Sequence, residues 1–154
     1  MAISGLVITY NEEKNIGKCI DALFEVCDEV IIVDSLSADN TVKIAEEKGA
    51  KVISQKFLGD GPQRTHGLTF YKNDWILNLD ADEFLDKDAK EFILKEKYLE
   101  GNYDAFSFRV KNFLADELID FSGWYPDHKV RFFFYYTAKP SEAKVHQKIE
   151  TTNE

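Results

Sequence analysis

The feature that most constrains this chain is an alternation. Across the first hundred residues, short apolar runs rich in Val and Ile alternate with stretches whose apolar residues recur every three or four positions. Residues 3–9 (ISGLVIT) and 29–34 (EVIIVD) read as buried strands. Between them Ile16, Ile20, Leu23, Phe24 and Cys27 keep helical spacing, which predicts an amphipathic helix over 14–27. A second helix is expected over 41–48, capped by Asp39 or Asn40 and stopped at Gly49. A third strand at 50–55, a helix near 62–71 with Pro62 in its first turn, a fourth strand at 74–79 and a helix at 87–99 closed by Gly101 continue the pattern. Alternating elements of this kind predict an α/β fold built on a doubly wound, mostly parallel sheet. Ligands of such sheets sit at the carboxyl ends of the strands. The polar clusters at 9–12, 34–37 and 80–83 all fall there, so three separate segments point toward one crevice.

After Tyr103 the pattern changes. Residues 105–114 and 118–124 read as extended, with a hairpin turning at Ala115-Asp116-Glu117, and 130–136 as a further strand. This portion is expected to be a small mixed or antiparallel extension of the sheet, not an independent domain. Eight of the sixteen residues from 121 to 136 are Phe, Tyr or Trp. Core is the simplest use for them; an acceptor platform, a dimer surface and a contact for a further C-terminal part are the alternatives.

Composition narrows the functions. The 154 residues carry 19 basic and 28 acidic side chains, a net charge of −9. That argues against a protein that binds nucleic acid by covering phosphates with Lys and Arg. It leaves room for a small phosphorylated ligand held through a divalent metal. With 44% hydrophobic and 31% charged residues the chain is neither disordered nor membrane-spanning in character. No apolar run approaches the ~20 residues of a transmembrane helix, and the N-terminus lacks the pattern of a signal peptide. Cys19 and Cys27 fit no zinc or CxxC spacing and are expected to be reduced, buried thiols of a cytosolic protein. There is no GxxxxGK[ST], HExxH or GxSxG; Gly59-x-Gly61 lacks the third glycine of a dinucleotide loop, and nothing local supports a Cys–His pair.

The strongest local signal is Asp80-Ala81-Asp82 at the end of an apolar strand. Two carboxylates spaced this way can converge on one Mg²⁺ or Mn²⁺, whose shell is completed by water and ligand phosphates. The competing reading is a solvated helix start, where acids favour the dipole. Arg64 lies within Gly59–Gly67, between the third and fourth strands, where its side chain can reach the same crevice; alone it also reads as a surface charge. Tyr10 can stack on a base, and Asp34 or Ser35 can hydrogen-bond one; each alone is also an ordinary strand-end polar residue. From 127 to 148 the charge reverses: Lys129, Arg131, Lys139, Lys144 and Lys148 stand against Asp127 and Glu142, with His128 and His146 added. This segment reads either as a basic flap suited to a diphosphate leaving group or as a solvated edge strand protected by Lys.

Together these clusters resemble a known family. Val7-Ile8-Thr9-Tyr10-Asn11-Glu12-Glu13, the run Ile32-Val33-Asp34-Ser35-Leu36-Ser37-Ala38-Asp39-Asn40-Thr41, and Trp75-Ile76-Leu77-Asn78-Leu79-Asp80-Ala81-Asp82-Glu83 are similar to the signatures of family 2 glycosyltransferases with a GT-A, Rossmann-like fold. Trp124-Tyr125-Pro126-Asp127 with Arg131-Phe132-Phe133, and Val145-His146, most resemble the lipopolysaccharide-core glucosyltransferase branch. The resemblance implies transfer of a sugar from a nucleotide-diphospho-sugar donor to a glycan or lipid-linked acceptor hydroxyl, with Mg²⁺ or Mn²⁺ and inversion at the anomeric carbon. It implies a role in cell-surface polysaccharide or lipopolysaccharide assembly.

Carried over residue by residue, Thr9, Tyr10 and Glu12 match the first nucleotide-binding loop. Asp34, followed by Ser35, ends the second strand, Arg64 matches the Arg-Asn-x-Gly segment, and Asp80 and Asp82 match the metal and donor-phosphate motif. Asp127 and Arg131 resemble the element that carries the catalytic base, and His146 the position closing on metal or diphosphate. Ser35 stands where many members have a second Asp, Thr65 replaces the usual Asn, and Pro126 replaces a Glu. The resemblance also implies one GT-A domain, with a nucleotide-sugar half at 1–100 and a partial acceptor-side half at 101–154 that relatives continue beyond. A cytoplasmic protein without nucleic-acid partners is expected; a peripheral seat on the inner face of the plasma membrane and a homodimer are compatible with it. The alternatives are a non-catalytic nucleotide-sugar-binding module and a nucleotidyltransferase, although the latter usually has a Gly-rich loop where Tyr10-Asn11-Glu12-Glu13 stands.

Overall fold

The alternation of the sequence becomes a sheet with helices on both faces. The structure, a computed structural model, describes residues 2–101, 103–110, 113–114, 117–118, 127–134, 139–140 and 149–150. Its elements are β1 (Ile3–Thr9), α1 (Ile16–Phe24), β2 (Glu29–Asp34), α2 (Thr41–Glu47), β3 (Lys51–Ser54), α3 (Asp60–Gly67), β4 (Trp75–Asn78), α4 (Lys87–Leu94), β5 (Ala105–Val110), β6 (Phe113–Leu114), β7 (Glu117–Leu118), β8 (Asp127–Phe134), β9 (Lys139–Pro140) and β10 (Ile149–Glu150). The main sheet has the order β3-β2-β1-β4-β8-β5. The first four strands are mutually parallel, and β8 runs antiparallel to both β4 and β5. The parallel half and the antiparallel extension are those expected from the sequence. Of the two readings of the basic segment, the Lys-protected edge strand fails over 127–134: β8 lies between β4 and β5, inside the sheet. In the small hairpin Leu114 pairs with Glu117, so Glu117 belongs to the strand and not to the turn.

Both faces of the strands are apolar because both are covered. Side chains alternate with the two-residue period of a strand. Val7, Ile32, Leu77 and Phe132 pack into one core with Ile16, Ile20 and Leu23 of α1. Their neighbours Leu6, Ile31, Val33, Ile76 and Phe133 face the other way, with Leu68 just after α3. The aromatic stretch thus contributes Phe132 and Phe133 to the core; 121–126 and 135–136 lie outside the described residues.

Gly67 lets α3 approach the sheet. A Cβ built there would stand 2.6 Å from both Leu6 Cδ1 and Val33 Cγ2. Gly67→Ala is therefore expected to overpack this contact and lower stability by about 1–3 kcal/mol. Urea unfolding should show a lower midpoint with an unchanged slope; an unaltered midpoint would mean the two layers separate freely.

The apolar period at 87–99 does not produce one helix. Asp86 caps α4 by accepting from the Ala89 amide at 2.8 Å. The helix ends at Leu94, Glu96 takes a left-handed backbone (φ 54°), and a short 3₁₀ turn follows at Lys97–Leu99. The break turns Tyr98 inward, where its ring lies 4.9 Å from those of Trp75 and Phe132. Burial of one aromatic ring outweighs continuation of the helix.

Candidate active site at the carboxyl ends of β1, β2 and β4

β1 lies between β2 and β4, so the loops that leave these three strands are neighbours. The first two are laced together. Asp34 is buried and accepts from Thr9 Oγ1 (2.7 Å), Ser37 Oγ (2.6 Å) and the Ser37 amide (2.8 Å). The Asn11 amide donates to Ser37 Oγ, and Asn11 Oδ1 accepts from the Ala38 amide, each at 2.8 Å. Asn11 and Leu36 adopt left-handed backbones, φ 51° and 62°, to make these turns. The Glu12 amide donates to Thr41 Oγ1 at 2.8 Å, and the Glu13 amide to Asp39 at 3.2 Å. Asn40 takes the N-cap position of α2 without a side-chain bond, and Asp39 before it accepts from the Thr41 amide at 3.0 Å. Desolvation opposes its charge, yet hydrogen bonds from Thr41 and Glu13 hold its carboxyl below the usual value. Tyr10, between these anchors, is left exposed.

The loop after β4 is organised by two arginines. Arg64 of α3 places Nη2 at 2.6 Å from Asp80 Oδ1. Arg131 of β8 places its Nη2 at 3.3 Å from Asp80 Oδ2 and 3.1 Å from Glu83 Oε2. Glu83 also accepts from the Asp80 amide at 2.7 Å. The guanidinium side chains are only 4% and 8% exposed, whereas Asp80 is 41% exposed. Arg64 Nε and Nη1 and Arg131 Nε meet no acceptor among the described residues. The acidic loop also abuts α1: Cys19 Sγ lies 3.5 Å from the Asp80 carbonyl. Burial, reinforced by the negative charges of Glu83, Asp80, Asp82 and Glu12, pushes the Cys19 thiol far up. Cys19 and Cys27 are both buried free thiols, as expected.

Two guanidiniums balance Asp80 and Glu83. Asp82 is left over, exposed and without a hydrogen-bond or ion-pair partner among the described residues. A Mg²⁺-type cation commonly takes only one or two protein carboxylates and fills its shell with water and phosphate oxygens. One free carboxylate beside a neutralised cluster fits that demand. Among the described residues no three Asp, Glu, His or Cys groups surround a single point.

The structure therefore brings Thr9, Asp34 and Ser35 together at one strand pair, and Arg64, Asp80 and Arg131 in one ion cluster beside it. Tyr10, Glu12 and Asp82 lie on the adjoining loops. Asp127 opens β8; because β8 is antiparallel to β4 and Phe132 pairs with Leu77, this strand start falls on the carboxyl-end side of β4. His146 lies outside the described residues. Sequence reasoning assigned no role to Glu83, Ser37, Asn11 or Gln63. The Asp80-x-x-Glu83 spacing is that of a capping box and was a usable signal; the other three have none.

The fold and this arrangement are those of a doubly wound α/β chain with a polar site at its strand ends, and comparison with known proteins places it. The sequence model of glycosyl transferase family 2 matches residues 4–146, and the chain belongs to that family. It is 48% identical over 91 residues to an uncharacterized glycosyltransferase of Rickettsia bellii, covering 59% of this chain and 31% of that protein. It is 35% identical over 98 residues to the lipopolysaccharide core biosynthesis glycosyltransferase LpsC of Rhizobium meliloti, covering 60% of this chain and 36% of the relative. The chain thus spans about a third of these relatives' length. Among solved structures, glucosyl-3-phosphoglycerate synthase of Mycobacterium tuberculosis with Mn²⁺, UDP and glucosyl-3-phosphoglycerate is similar at TM-score 0.55 and 25% identity, over 68% of this chain and 42% of that one. TarS of S. aureus (residues 1–349) with UDP-GlcNAc is similar at TM-score 0.55 and 26% identity, over 81% and 38%. The fold is of the GT-A type of these neighbours. No helix among the described residues is long and apolar enough to cross a membrane.

Proposed function

We propose that this chain transfers a hexosyl unit, with inversion, from a nucleotide-diphospho-sugar to a hydroxyl of a glycan or lipid-linked acceptor in cell-surface polysaccharide or lipopolysaccharide assembly. The observation that carries the reading is that the loops leaving β1, β2 and β4 are neighbours, the first two laced together through Asp34 and the third held by Arg64 and Arg131 at Asp80. Tyr10 stacks on the base, Glu12 backs its loop, and Ser35 meets the base edge. Thr9 and Asp34 keep the loop in shape. Arg64 and Arg131 fix the Asp80 carboxylate toward the donor. Asp82, with Asp80 and His146, would hold Mg²⁺ or Mn²⁺, which would supply charge neutralisation for the departing diphosphate. Asp127 removes the acceptor hydroxyl proton as its oxygen attacks the anomeric carbon, and the nucleoside diphosphate leaves. Residues 1–100 form the donor half, and 101–154 begin the acceptor half.

Of the two related complexes above, one carries UDP with Mn²⁺ and the other UDP-GlcNAc, so UDP heads the test. A thermal-shift panel of UDP, CDP, GDP and ADP with and without Mn²⁺ is expected to raise Tm for one nucleotide, more so with the metal. Transfer from the matching nucleotide-sugar then separates an enzyme from a module that only binds. No shift with any nucleotide would sink the reading.

A further inference from the structure

Gln63 is a polar side chain with 0% exposure, one position before Arg64 on α3. Its amide is completely committed. Oε1 accepts from the Leu58 amide at 3.0 Å, and Nε2 donates to the Gln55 carbonyl at 3.0 Å and to Ser35 Oγ at 3.1 Å. The two backbone partners settle which end of the amide is which: a backbone N–H must meet oxygen, and a backbone carbonyl must meet N–H. Toward Ser35, Gln63 can therefore only donate.

The consequence falls on Ser35. Its amide is held by the Thr9 carbonyl at 2.9 Å, at the junction of β1 and β2 beside the Tyr10 loop. Its oxygen already accepts from Gln63, so its own hydrogen must go elsewhere, and no described residue accepts it. The Ser35 hydroxyl is a donor with a fixed seat and no acceptor among the described residues.

We infer that Gln63 is a positioning residue, which sets the Ser35 hydroxyl as a hydrogen-bond donor to an acceptor atom of the nucleotide base, a carbonyl oxygen or an unprotonated ring nitrogen. This rests on the nucleotide reading above. It assigns a polarity to the base contact: the protein gives the proton and the base supplies the lone pair. A carboxylate at position 35 would demand the opposite. Gln63 also ties Gln55 and Leu58 to the same point, so the β3 loop and the base contact share one anchor.

The test uses calorimetry with the nucleoside diphosphate that binds best among UDP, CDP, GDP and ADP, in Mn²⁺, on the full chain. Ser35→Ala, a small change at a half-buried position, is expected to weaken binding about three- to tenfold, the worth of one neutral hydrogen bond. Gln63→Met should weaken it by a similar factor, and the double variant should bind no worse than Ser35→Ala alone. Toward ribose 5-diphosphate, which lacks a base, the Ser35→Ala protein should match wild type. Unchanged affinity in Ser35→Ala, losses that multiply in the double variant, or a loss that persists with the baseless probe each overturns the inference while nucleotide binding stands. If Gln63→Met does not fold, the Ser35→Ala pair of measurements still decides whether the Ser35 hydroxyl meets the base, without which Gln63 has nothing to position. If wild type binds none of the four nucleotides, the proposed function falls and this inference with it.

Discussion

An Asp127→Asn protein is expected to bind its sugar donor as wild type does and to transfer sugar about 10²–10⁴-fold more slowly, the usual contribution of a general base. The side chains are nearly isosteric, but an amide has no basic oxygen to receive the acceptor proton. Asp127 opens β8, the strand whose later residue Arg131 reaches Asp80. The strand that anchors the acidic loop would thus also deliver the base. The measurements are donor affinity by calorimetry and single-turnover transfer. Transfer at the wild-type rate would remove Asp127 from the chemistry; lost donor binding would mark it as part of the donor site instead.

The second large effect divides the two aspartates of Asp80-Ala81-Asp82. Asp82→Ala should leave the fold as stable as before, because the exposed carboxylate has no described partner, and should abolish the Mn²⁺-dependent part of nucleotide binding. Asp80→Ala should destabilise. It strips the Arg64 guanidinium of its 2.6 Å partner, and Arg64 is buried. Removing one member of an exposed pair costs up to about 1 kcal/mol, and of a buried pair about 3–5 kcal/mol. With Asp80 41% exposed and both arginines covered, the loss should fall between these limits. Urea titration reads the fold, and calorimetry with and without Mn²⁺ reads the site. Equal loss of stability in both variants would erase the distinction.

Much of this architecture was legible in the residues. The Val- and Ile-rich runs at 3–9 and 29–34 are strands because they are apolar on both faces, and only a sheet covered twice accepts them. The polar clusters at their ends marked the rim: Thr9 and Asp34 are still buried but bonded to each other, and Tyr10 and Leu36 just beyond them are exposed. What was hidden depends on distance in space. Nothing local in Arg131 says that it will pair with residues 51 and 48 positions earlier. A Lys- and Arg-bearing segment suggests an edge, yet Phe132 and Phe133 draw β8 into the middle of the sheet. Gln63 looks like any surface glutamine until the loop at 55–59 folds over it. The helical period at 87–99 continued past the place where Tyr98 found a better site in the core.

The cross-stitching of the Asn11–Glu13 and Ser37–Thr41 turns has a thermodynamic corollary. Those backbones surrender their freedom when the protein folds, so a nucleotide bound as proposed would meet a rim that is already ordered. Association then immobilises chiefly the guest, and less of each contact's strength is consumed in ordering the host.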